Sequence, residues 1–211
     1  MLVLQNQMNC TVDQNWVELN RNWLLAAAME AAEAIGHHGW KWWKKQTPDT
    51  EQLQMELIDI WHFALSTLIE ENPNDIDGIS ISVEHIITGH RTGAIGFNNS
   101  IYHLDDMSIL RKLQLLMAMC SDNMFHIPLF MSICEEAGLS QESLYKQYIG
   151  KNILNIFRQQ NGYKDGSYIK IWDGEEDNIH LVKIIDTLDV NDECFADNLM
   201  DALVETYARL N

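Results

Sequence analysis

The sequence predicts an all-α fold, a helical bundle, and three observations carry that expectation. The 211 residues include only 3 Pro and 11 Gly, so little interrupts a helix and a turn-rich β architecture is disfavoured. Apolar residues recur at helical spacing, first through Leu19, Trp23, Ala27 and the run AAAMEAAEAI, then through Leu53, Leu57, Ile60, Ala64 and Leu68. Hydrophobic residues form 46% of the chain, enough for a substantial core in a single domain spanning 1–211.

The elements follow in order. A first helix is expected over Trp16 to Ile35, ended by Gly36-His37-His38-Gly39, with a segment dense in Trp and Lys after it (40–45). Thr47-Pro48-Asp49 reads as a helix start, with Thr47 as N-cap and Pro48 at the first helical position. That helix runs from Glu51 to about Glu70, and Asn72-Pro73 closes it. Residues 74–104 are expected to form a loop or mobile insertion. Within them ISISV (79–83) fits either a short strand or a buried helix start, and Gly89, Gly93 and Gly96 suggest a loop. Further helices are expected over Asp105–Cys120, Pro128–Ala137 and Ser140–Gln160, the last capped by Ser140 and stopped at Asn161-Gly162. A turn segment over 163–178 and helices near 179–188 and 193–210 complete the chain.

Charge narrows the partners. With 31 Asp+Glu against 14 Lys+Arg the net charge is −17, which disfavours duplex nucleic acid and anionic membranes. The longest apolar run, Trp23 to Met29, is too short to span a bilayer, and MLVLQNQMNC has no secretory pattern. Cys10, Cys120, Cys134 and Cys194 are scattered, as expected of reduced thiols in a cytoplasmic protein.

Two carboxylate pairs stand out. Glu30-Ala-Ala-Glu33 and Glu56-Leu-Ile-Asp59 each place two acids on one helical face within an apolar run. A lone ExxE in so acidic a chain is usually a solvated face. Here both pairs are flanked by apolar residues, and buried carboxylates are costly without a cation. Four oxygen ligands on two antiparallel helices suit Mg²⁺, or Mn²⁺ in its place. The basic residues cluster as well: Lys41, Lys44, Lys45, Lys151, Arg158, Lys164 and Lys170 make up seven of the fourteen. Cations beside a polycarboxylate metal site point to a polyphosphate ligand, although surface neutralisation explains either cluster alone. Trp40, Trp42 and Trp43, with Asn152 and Asn155, offer the aromatic faces and amides that a nucleobase needs, whereas tryptophans in helical proteins more often fill a core. His62, one turn after Asp59, is either a further ligand, a base contact or a packing residue. A di-iron carboxylate bundle would need ExxH on two helices, and Asp59-x-x-His62 occurs once. A non-catalytic acidic interaction protein accounts for the charge but not for the basic block at 151–170.

ME(30)AAE(33), W(40)KWWKK, E(56)LIDIWHFALS and KNILNIFRQQNGYKDGSYIKIWDGEEDN (151–178) together resemble the dimeric all-α dUTPases and the related phage dCTPase–dUTPases of the MazG-like pyrophosphatase superfamily. The resemblance implies Mg²⁺-dependent hydrolysis of dUTP, and of dUDP, with dUTP giving dUMP and pyrophosphate. A dCTPase–dUTPase or a broader house-cleaning pyrophosphatase is the alternative within the same chemistry. It implies metal binding by Glu30, Glu33, Glu56 and Asp59, with two or more ions per site. One of Glu30 and Glu33 activates the water, Glu30 being favoured, and the water is directed at the β-phosphorus. Phosphate contacts are implied for Lys41, Lys44, Lys151, Arg158 and Lys164. Nucleoside contacts are implied for Asn20, Trp43, His62 and Asn155, with Tyr163 and Tyr168 nearby. A homodimer is implied too. One departure concerns the family motif QxxLN: with Asn20 as its Asn, the Gln position holds Trp16.

Overall fold

The computed structural model describes residues 1–89, 93–189, 192 and 194–210. In chain order the elements are α1 (Leu2–Val12), a 3-10 turn (Trp16–Leu19), α2 (Trp23–His38), α3 (Thr50–Glu71), α4 (Ile76–Thr88), β1 (Ala94–Phe97) and β2 (Ser100–His103). There follow a 3-10 turn (Leu104–Asp106), α5 (Ile109–Ser121), α6 (Ile127–Glu136), α7 (Gln141–Gln160), β3 (Ile171–Trp172), β4 (Glu175–Glu176), α8 (Asp177–Ile185) and α9 (Phe195–Leu210). The fold is all-α: helix accounts for 67% of the structure, and the strands form two small antiparallel pairs. Among the described residues no helix is long and apolar enough to cross a membrane.

The chain divides into two compact units: Met1 and Val3–Trp16 with Gln141–Asn211, and Leu2 with Val17–Ser140. The second is built on α2 lying along α3 and α5. Asn22 caps α2, its Oδ1 accepting from the Leu25 N–H at 2.9 Å. Leu24, Ala27, Ala28, Ala31 and Ala34 form the buried stripe of α2, and the small alanines let α3 approach closely. α3 buries Leu53, Leu57, Ile60, Trp61, Ala64 and Leu65. Trp61 stacks on Phe130 of α6, centroids 5.1 Å apart and nearly parallel. Glu136 on α6 accepts the Ile109 N–H at 2.9 Å and pairs with Lys112 at 2.7 Å, joining the start of α5 to α6.

In the other unit, α7 packs against α8 and α9. Phe157, Tyr168, Trp172 and Tyr207 form an aromatic cluster, with Tyr168 and Tyr207 stacked at 5.5 Å.

The structure corrects several sequence expectations. α1 was not foreseen, because its buried positions include the amides Gln5 and Asn9 and it lacks a continuous apolar stripe. The helix expected from Trp16 is broken: Asn20 adopts a left-handed φ of +45°, and α2 begins only at Trp23. Thr47 is not the cap of α3. Asp49 is, accepting the Gln52 N–H at 3.1 Å, so Pro48 lies ahead of the helix. ISISV belongs to helix α4, with Ile79 and Val83 buried and Ile81 exposed. The expected glycine loop contains a hairpin whose turn residues, Asn98 and Asn99, both have positive φ. Residues 90–92 and Glu193, covered by the expectations for 74–104 and for the last helix, lie outside the described residues.

Candidate active site

The carboxylate pairs are brought together by α2 and α3. Glu30, Glu33 and Glu56 each offer an oxygen, and these atoms lie within 4.8 Å of one another. Glu56 is buried, Glu30 half-buried and Glu33 exposed, so the cluster opens to solvent on one side. Asp59, half-buried one turn beyond Glu56, is outside this tight group but adds its charge to the surroundings of Glu30. Burial pushes the Glu30 carboxyl up to about 8, helped by the charges of Asp59, Glu56 and Glu33 and by a hydrogen bond with Glu56. Repulsion between carboxylates this close is relieved when Glu30 keeps its proton or when a cation joins them. An all-oxygen donor set of this kind fits a hard divalent cation. His37, in the last turn of α2, places Nε2 3.3 Å from Glu56 Oε1.

The other expected residues of this unit are placed as follows. Lys41 and Lys44 are exposed on the segment after α2, where the Lys41 N–H donates to Gln46 Oε1. Trp43 is exposed and meets Trp40 and Trp42 edge-on, at 5.2 and 5.5 Å; Trp42 is 91% exposed. These rings are thus not core, contrary to the commoner role of tryptophan in helical proteins. His62 is buried in α3. Asn20 is exposed and donates to the Glu18 carbonyl at 3.0 Å, on the rim of a hollow of about 330 Å³ that Arg21, Trp23 and Glu70 also line.

In the other unit, Lys151, Asn155 and Arg158 lie on one face of α7. Asn178 accepts from both Lys151 Nζ and Arg158 Nη2, each at 3.3 Å. Arg158 is buried and forms a bidentate pair with Asp177, at 2.8 and 2.7 Å, while its Nη1 donates to Asn155 at 2.9 Å. The Tyr168 hydroxyl donates to Asp177 at 2.8 Å. Burial alone would raise the Asp177 carboxyl, but the hydrogen bonds and charge of Arg158, with Tyr168, outweigh it and hold it low. The Tyr168 phenol is driven upward, by burial first and then by Asp177. Tyr163 is about half exposed with Arg158 over its ring at 5.8 Å. Lys164 is exposed and reaches the Val12 carbonyl at 3.3 Å.

Sequence reasoning missed Gln5, Asn9, Asp177 and His37. Gln5 Nε2 donates to Asn9 Oδ1 at 3.0 Å, and the Tyr148 hydroxyl donates to Gln5 Oε1 at 2.8 Å. Asn152 donates to that hydroxyl at 3.5 Å, and its own Oδ1 is buried with no hydrogen-bond partner among the described residues. Gln5-Asn6-Gln7-Met8-Asn9 has the form of QxxLN with Met for Leu, so the signal is present in the sequence, eleven residues before Asn20.

A family model described as dUTPase matches residues 1–163. The match takes in all four carboxylates, Lys41, Lys44, Lys151 and Arg158, and stops before Lys164 and Tyr168. No curated protein is significantly similar to the chain. More than half of the chain lies within the match, and the observed helices agree with it: the chain belongs to the all-α dUTPase family and is a dUTP diphosphatase, a hydrolase of acid anhydrides.

Proposed function

We propose that this chain hydrolyses dUTP to dUMP and pyrophosphate using divalent metal, Mg²⁺ in the first instance and Mn²⁺ in its place, held as two or more ions by Glu30, Glu33, Glu56 and Asp59. The convergence of Glu30, Glu33 and Glu56 within 4.8 Å in a chain of this family is the observation that carries the reading. Bound metal would offset the charge of the carboxylates and phosphates and acidify a coordinated water. Glu30 takes the proton of the attacking water as general base. The water oxygen bonds to the β-phosphorus, the bridging oxygen leaves with dUMP, and the β- and γ-phosphates depart as pyrophosphate. The same chemistry extends to dUDP, with phosphate as the second product.

Lys41, Lys44, Lys151, Arg158 and Lys164 are proposed to balance phosphate charge. Trp43, His62, Asn155, Tyr163 and Tyr168 are proposed for the nucleoside. To these we add Gln5 and Asn9, because they satisfy the amide motif that Asn20 does not. A cytoplasmic homodimer, with 1–211 as one domain, is the state proposed for the chain.

Pyrophosphate release across dUTP, dCTP, dTTP and UTP tests the reading. dUTP turnover should require added Mg²⁺ and fall by at least about a hundredfold in Glu33→Gln, the scale of losing one electrostatic contact to the transition state. Full activity of that variant, or undiminished turnover in chelator, would sink the mechanism, and a dCTP rate matching that for dUTP would assign the bifunctional alternative.

A further inference from the structure

His37 belongs to none of the motifs that carry the family resemblance, yet the fold ties it to one of the carboxylates. Glu30, Glu33 and His37 succeed one another at i, i+3 and i+7 on α2, which places them on one face. From that face the His37 ring reaches to 3.3 Å from Glu56 Oε1. Its main chain is fixed as well, since the Asp49 N–H donates to the His37 carbonyl at 2.9 Å. Asp49 is the N-cap of α3 and Glu56 lies seven residues on, so both sit on one face of α3 about two turns apart. His37 is therefore held to α3 twice, by its carbonyl at the cap and by its ring two turns along.

The position of the ring decides its role. The oxygens of Glu30, Glu33 and Glu56 share one small volume, and the imidazole nitrogen is not part of that group. The ring lies against Glu56 Oε1, and Glu30 shares a hydrogen bond with the same side chain. We propose that His37 is a positioning residue for Glu56: Nε2–H donates to Oε1, fixes the orientation of the carboxylate and leaves its other oxygen to the cation. This rests on the reading of the carboxylates as a divalent-metal site. Partners of this kind hold a ligand in its binding geometry, and their loss typically weakens metal affinity by about 10- to 100-fold.

The test uses the full chain stripped by chelator and titrated with MnCl₂, free Mn²⁺ being read by electron paramagnetic resonance. His37→Ala removes the donor at a partly exposed helix end; His37→Gln keeps an N–H donor. The Ala variant should bind Mn²⁺ about 10- to 100-fold more weakly, with the Gln variant close to the unsubstituted chain. A change in the metal-free thermal midpoint of His37→Ala with unaltered Mn²⁺ affinity would show a structural role only and overturn the proposal. Equal weakening in both variants would overturn it too, because the donor would not be the cause. Nitrogen modulation in the pulsed spectrum of bound Mn²⁺, lost in His37→Ala, would make His37 a ligand instead. An unsubstituted chain that binds no Mn²⁺ would remove the carboxylate reading and this one together, whereas tight binding in both it and His37→Ala removes only the role of His37.

Discussion

At Glu30 burial and neighbouring charge act together on one carboxyl. Its carboxyl is pushed from 4.5 to about 8, so across that window the folded, metal-free chain holds a proton that the unfolded chain has released. Stability therefore falls as pH rises between these two values. The thermal midpoint of chelator-treated protein should drop from pH 5 to pH 8, Glu30→Gln should flatten the dependence, and Mg²⁺ should restore the midpoint at pH 8. A flat profile for the unsubstituted protein would show that Glu30 is not perturbed. The amides give a second contrast at this scale. Asn9 is buried in a chain of amide and hydroxyl hydrogen bonds, whereas Asn20 is exposed and bonded to a neighbouring carbonyl. A polar site that reads a base loses discrimination when a donor or acceptor is removed. Asn9→Ala should thus change the ratio of kcat/KM for dUTP and dCTP, and Asn20→Ala should leave it nearly unchanged; the reverse result would return the base contact to Asn20.

Among the elements, one buried carboxylate at the start of α8 holds the charge of α7. Asp177 is fully buried and accepts from Arg158 twice and from Tyr168 once. Removing one partner of a buried pair leaves the other charge uncompensated, at about 3–5 kcal/mol. Asp177→Asn should lower the unfolding free energy by that amount in denaturant titration; a loss well under 1 kcal/mol would mean that water reaches Arg158. These contacts also show what could be read in advance. The helices with apolar stripes, α2, α3 and α5 to α7, were legible because a 3.6-residue period survives in the sequence, and the ExxE and ExxD pairs were legible because spacing alone puts them on one face. α1 was not, since amides occupy its inward positions. The hairpin was not, since two positive-φ asparagines look the same in a loop. Asp177 was not, since its partner lies nineteen residues away and no local pattern links Arg158 to it. His37 escaped for the same reason: its contact with Glu56 crosses from one helix to the next.

For the whole molecule, a net charge of −17 sets up a field that draws cations and repels polyphosphates. Divalent-metal affinity should therefore weaken as NaCl is raised from about 0.01 M towards 1 M, while the screening length shrinks from about 30 to 3 Å. Calorimetric titration with MgCl₂ across that range checks it, and a salt-independent affinity would restrict the attraction to the ligands themselves. The family match ends at residue 163, but the counter-charge of Arg158 is carried by Asp177 and steadied by Tyr168, both beyond that limit. A chain cut back to the matched span would keep every acid of the carboxylate cluster and still strip Arg158 of its counter-charge and of the helices packed over it. The border of recognisable kinship and the border of what must fold together are therefore different places in this chain, and a shortened version meant to retain its chemistry has to be drawn by the second.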